Sequence, residues 1–218
     1  MALRSSLVPI ALGAALLGGL VATDVAAPAA KKRCTPAPKA KCAKANLAKR
    51  NLAGKNLAGI DLSGANLTGA NLKGANLTGA TLSNANFSRA NLTNATVTRA
   101  YVKGAKMGTA TLAGLVSGGM PNAPASLPAN WQMNSTYLLG PGANLSGANL
   151  IGATLTGVNV VGANLTGALL TGATIYASTF TNATMANANL VGASASTTTF
   201  AGASLSGTVL TAATLTAN

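Results

Sequence analysis

A period of five residues runs through most of this chain. The sequence reads Ala45-Asn-Leu-Ala-Lys, and further on Ala65-Asn-Leu-Thr-Gly, Ala70-Asn-Leu-Lys-Gly and Ala75-Asn-Leu-Thr-Gly. Fourteen such units span residues 45–114 and fifteen span residues 143–217. The central residue of every unit is apolar, from Leu47 to Leu112 and from Leu145 to Leu215. Hydrophobic residues make up 49% of the chain, too few for an unbroken series of that length to arise by chance. Five matches neither the helical period of 3.6 nor the strand period of two. It fits a solenoid that turns a corner once per unit.

Two positions before each centre the residue is usually Ala, without exception from Ala65 to Ala110. In extended backbone, residues i and i−2 share a face, so centre and Ala point inward together and the residues around them face water. Gly often fills the fifth position, where a corner calls for positive φ. The exceptions to the inner Ala give the size of one coil. Val158, Ser178 and Thr198 lie 20 apart, as do their centres Val160, Phe180 and Phe200. A departure recurring every fourth unit implies four units per coil. Twenty-nine units then make about seven coils in two blocks, with Phe180 stacked on Phe200. Arg50, Lys55 and Ile60 stand where Ala stands later. Buried unpaired charge is prohibitive, so residues 45–60 are expected to form an irregular cap, with regular packing from Ile60.

The tandem Ala-Asn-Leu-x-Gly motif resembles the pentapeptide-repeat family. The resemblance implies an all-β fold, a right-handed quadrilateral parallel β-helix. Well-known members imitate DNA and bind DNA gyrase, a role tied to an acidic surface and a cytoplasmic address. This chain has the opposite charge, so the gyrase-binding or nucleic-acid-associated role stands as an alternative only.

Charge and leader point outside the cell. Residues 1–29 have the pattern of a signal peptide: Arg4, an apolar run from Leu7 to Leu20, then small residues around Ala27-Pro28-Ala29. An uncleaved leader would be the one route to a membrane. Residues 30–44 form a basic segment with Cys34 and Cys42, for which a disulfide is the expected state of an exported protein. Lys31, Lys32, Arg33, Lys39 and Lys41 are the candidate anionic-surface ligands there. The formal net charge is +13, and from Met107 onward the only ionisable side chains are Tyr137 and Tyr176. Such a run suits nucleic acid, anionic lipid or an anionic cell-wall polymer, or serves only as a solvated tail that keeps an otherwise uncharged body soluble. No aromatic residue interleaves it, which argues against single-stranded nucleic acid.

Catalysis is poorly served. There is no His, and Asp24 and Asp61 are the only acids. General acid/base chemistry, hydrolase triads and carboxylate or His metal sites lack their residues. The reading is a non-enzymatic structural or interaction module without cofactor, its partner an unidentified protein or a wall polymer.

Two further features stand out. Residues 115–142 interrupt the repeat with four Pro residues and the only Trp, Trp131, either exposed for carbohydrate or protein binding or covering the solenoid. In the block 143–218, one side displays Thr154, Thr156, Thr174, Ser194, Ser196, Thr214 and Thr216 around inward centres, with Tyr176 between them. A flat uncharged hydroxyl array of this kind is similar to the ice-binding faces of β-solenoid antifreeze proteins, the second alternative. Thr is also simply a good strand residue.

Overall fold

The computed structural model describes residues 34–216. The expected leader, residues 1–29, lies outside them, as do Lys31, Lys32 and Arg33.

Each letter of the repeat has a backbone job. In one unit the Ala65 N–H donates to the Leu62 carbonyl at 2.9 Å, closing a tight turn. The residue before that inner Ala has a left-handed backbone, φ 63° at Gly64, which Gly adopts without strain. The Asn that follows accepts the N–H two residues on, as Thr68 donates to Asn66 Oδ1 at 3.1 Å. Its amide also reaches the level above, Asn66 Nδ2 to Asn46 Oδ1 at 3.3 Å. Between levels, the Leu67 N–H donates to the Asn86 carbonyl and the Asn86 N–H to the Ala65 carbonyl. The Asn position therefore carries the parallel ladder.

That ladder pairs residues 20 apart, the four-unit repeat expected from Val158, Ser178 and Thr198. One column runs through Asn56, Asn76, Thr96, Val116, Asn144, Asn164, Thr184 and Ser204. The column has eight rungs, one of them supplied by the interruption, residues 115–142. Val116 takes the Asn position, bridging back to Thr96 and forward to Asn144. The stack is continuous along this column, and the frame shift is absorbed as an eight-residue excess in one turn.

The excess folds as a hairpin of β1 (Gln132–Asn134) and β2 (Tyr137–Leu139), antiparallel, with Met133 opposite Leu138. Ser135, with φ 50°, makes its turn. Beyond it, β3 (Thr154–Thr156), β4 (Thr174–Tyr176), β5 (Ser194–Ser196) and β6 (Thr214–Thr216) form a parallel four-stranded sheet.

Centres and inner Ala residues fill the axis, in one cluster from Cys42 to Leu138 and another from Leu139 to Ala195. Phe180 and Phe200 stack with ring centroids 5.1 Å apart, as their spacing predicts.

The expected cap over residues 45–60 is not irregular. Lys39, Cys42 and Lys44 already donate to Ala58, Asp61 and Ser63, and Lys41 bridges Asp61. Regular backbone thus begins before residue 45. Cys42 is a buried centre in frame with Leu47 and Leu52. Arg50 and Lys55 do occupy inner positions, yet both are exposed. Burial at an inner position needs a level on either side, and these lie in the first level. Ile60, one level in, is fully buried.

Candidate interaction surfaces

The first level carries a dense cationic surface. Lys39 and Lys41 of the expected set are exposed, joined by exposed Lys44, Lys49, Arg50 and Lys55. The candidate set read from the sequence leaves these four out, because their positions around one turn are not visible along the chain. The Cys34–Cys42 disulfide is formed, tying the start of the described chain to a core position of the same level. The one acid among the described residues, Asp61, stands in an Asn position. It accepts from the Ser63 N–H at 3.0 Å and the Ser63 hydroxyl at 2.6 Å. These hydrogen bonds, aided by Lys41, hold its carboxyl below the ordinary Asp range against a small opposing effect of burial.

The hydroxyl array lies on β3–β6 in register. Thr154, Thr174, Ser194 and Thr214 form one rank; Thr156, Tyr176, Ser196 and Thr216 form the other. All are exposed except half-buried Ser196, while Leu155, Ile175 and Ala195 between them are buried. The ranks stand roughly 6.5–7 Å apart, and successive strands about 4.8 Å apart. Tyr176 projects from the middle of the face, half exposed.

From Thr154 to Thr216 this is the side of the stack with three-residue parallel strands, and its corner is widened. At the tight corners an inner N–H donates to the carbonyl of the preceding unit's centre. Here the Val158 N–H donates instead to Ser178 Oγ of the next level at 3.1 Å, and the single Ser178 hydroxyl proton is shared between the carbonyls of Leu155 and Tyr176, 3.0 and 2.9 Å away. The Ser178 N–H in turn points to Thr198 Oγ1 at 3.4 Å. A buried hydroxyl column does the work of the missing turn bonds, which is the physical reason Ala is replaced there.

Trp131 is half-buried and packs against both core clusters. A side chain at Gly140 would collide with its indole. Of the two readings of Trp131, the geometry matches the covering one. Tyr137 is likewise engaged, its hydroxyl accepting the Asn149 N–H at 3.0 Å.

Among the described residues, no group of three or more His, Cys, Asp or Glu could hold a metal, and no helix is long and apolar enough to cross a membrane.

The family model for pentapeptide repeats matches residues 40–79, 70–108, 142–172 and 178–216, in eight copies. The chain belongs to the pentapeptide-repeat family. Proteins of this family are right-handed quadrilateral β-helices and generally serve as structural or interaction modules. Among solved structures it is similar to HetL, a protein involved in heterocyst differentiation regulation from the cyanobacterium Nostoc sp. strain PCC 7120. The identity there is 24%, over 79% of this chain and 73% of that chain, with a TM-score of 0.23. Full-length QnrB1, a plasmid-mediated fluoroquinolone resistance protein, is 16% identical over 81% and 86%, with a TM-score of 0.31. Rfr23 from the cyanobacterium Cyanothece 51142 is 24% identical over 72% and 63%, with a TM-score of 0.18. A search among curated proteins returns no match.

Proposed function

We propose that this protein is a secreted, non-enzymatic β-solenoid, a right-handed quadrilateral rod that attaches to an anionic polymer at the cell surface through its cationic first level. The observation that carries this reading is the separation of charge along the stack. Every described cation lies between Lys39 and Lys106, Asp61 is the one described acid, and residues 107–216 add no charged side chain. Export is supported by the signal-like residues 1–29 and by the Cys34–Cys42 bridge. The same basic balance weighs against a gyrase-binding role built on an acidic surface.

The test is binding of the purified protein to a polyanion such as dextran sulfate across salt concentrations. Attachment should weaken steeply as salt rises, because exposed charge pairs are screened. Replacing Lys31, Lys32, Arg33, Lys39 and Lys41 with Gln should remove most of it. Salt-insensitive attachment that survives those changes would refute the reading.

A second reading rests on the registered hydroxyl ranks of β3–β6. If that face orders water, the protein shapes ice crystals, and Thr154→Lys with Thr174→Lys abolishes the effect. Unaltered ice growth with the native protein rejects this reading.

A further inference from the structure

The cations of the first level do not form a stripe. Lys41 stands on one side, Lys44 and Lys49 at the next two corners, Arg50 and Lys55 at the start of the following two sides, and Lys39 at the corner before Lys41. Together they encircle the axis.

Three of them sit where the fold itself prefers another residue. Lys39, Lys44 and Lys49 have φ of 57°, 58° and 57°, and Gly59, Gly64 and Gly69 hold the same corners one level down. A left-handed conformation is strained for an L-residue with a long side chain. Backbone strain of this kind collects where function needs the side chain. Arg89 and Arg99 hold such corners lower in the stack, so cations at strained corners recur through the first block and are densest in its first level.

We infer that this collar is an end-on docking surface for a layer of anionic polymer, and that the protein stands upright on it with the hydroxyl sheet β3–β6 held away. The inference rests on the attachment proposed above and adds its geometry. Cations on every side of the first level leave no lateral preference, whereas six of the eleven described cations lie in that level and none lies beyond Lys106, which gives a moment along the axis. That moment turns the first level toward a negative plane. Polymer is favoured over bilayer because binding to lipid draws on inserted apolar surface. Among the described residues, the exposed large hydrophobic side chains, from Tyr101 to Leu215, all lie outside the collar. Lysines predominate over the single Arg50, and ammonium groups act as point charges without the bidentate geometry of a specific phosphate site.

Neutron reflectometry of the full chain on a grafted dextran sulfate layer tests this, with vesicles containing phosphatidylglycerol as the lipid arm. An upright molecule adds a film at least about 34 Å thick, seven steps of strand spacing along the column from Asn56 to Ser204. The collar variant combines Lys39→Asn, Lys44→Asn, Lys49→Asn, Arg50→Ala and Lys55→Ala. It should keep its fold, because Asn84 and Asn94 hold equivalent corners and Ala is the usual inner residue. Its affinity for the polymer should fall about tenfold or more. Neutralising Lys73, Arg89, Arg99, Lys103 and Lys106 instead should leave an upright film. A film one coil wide, an equal loss from the lateral changes, or tighter binding to vesicles than to polymer overturns the inference while polymer attachment stands. Failure of the native protein to bind dextran sulfate at low salt overturns both.

Discussion

Asn134 donates its side-chain amide to the carbonyl of Thr154 at 2.7 Å, and two residues earlier Gln132 Nε2 reaches the Thr156 carbonyl at 3.3 Å. In the regular stack those carbonyls accept backbone N–H groups from the level above, as Asn66 and Thr68 accept from Leu47 and Lys49. The hairpin thus closes the upper edge of the sheet β3–β6 with side chains. An open edge is a site for unwanted pairing.

Asn134→Leu removes one of these donors. Thr154 is exposed, so water can replace the lost bond, and the expected loss is about 0.5–1.5 kcal/mol by urea unfolding. Hydrogen exchange should quicken in β3 more than in β6. Equal exchange in both strands would mean that the hairpin does not protect the edge.

Phe180→Ala opens a cavity in the axis above Phe200 and should cost about 3–5 kcal/mol. Phe200 is only half-buried, so Phe200→Ala should cost clearly less. Chemical denaturation of the two variants gives the order, and equal costs would contradict the difference in burial.

Ser178→Ala leaves the Val158 N–H and the Leu155 carbonyl without their buried partner. The expected loss is about 1–3 kcal/mol. Val158→Ala, which removes no hydroxyl, should not alter the widened corner. Nuclear magnetic resonance of the Val158 amide would report the change in its hydrogen bond.

Asp61 supplies a pH dependence. Its folded-state pKa is lowered, first by the Ser63 hydroxyl, then by the Ser63 N–H and Lys41. A lowered folded pKa means that the contribution is complete above the unfolded Asp value of about 3.9 and is lost as pH falls through the folded value. Thermal melts of the native protein should therefore decline below about pH 4. Asp61→Asn, which restores the common residue of the repeat, should flatten that decline. An identical decline in the variant would place its origin elsewhere.

The sequence by itself determined the inward and outward positions, the four-unit coil and the stacking of Phe180 on Phe200. It could do so because every unit repeats the same few roles, and a structure whose neighbours are always 20 residues apart writes its contacts as a period. It also marked Val158, Ser178 and Thr198 as one column, although only the structure shows why. The hydroxyls of Ser178 and Thr198 each take the inner N–H of the level above in place of a turn bond, a relation between residues that no local pattern records. Tertiary structure alone decided the two ends of the first block. Arg50 and Lys55 read as misfits when every inner position is taken as buried, yet a first level has only one covered face, so the ladder begins ahead of them with Cys42 as a centre. Val116 and the hairpin were equally hidden, since Val116 bridges Asn144 across 28 residues and Asn134 meets Thr154 through its side chain. Such contacts depend on how the extra residues fold back over the stack, and nothing in their order along the chain repeats to reveal it.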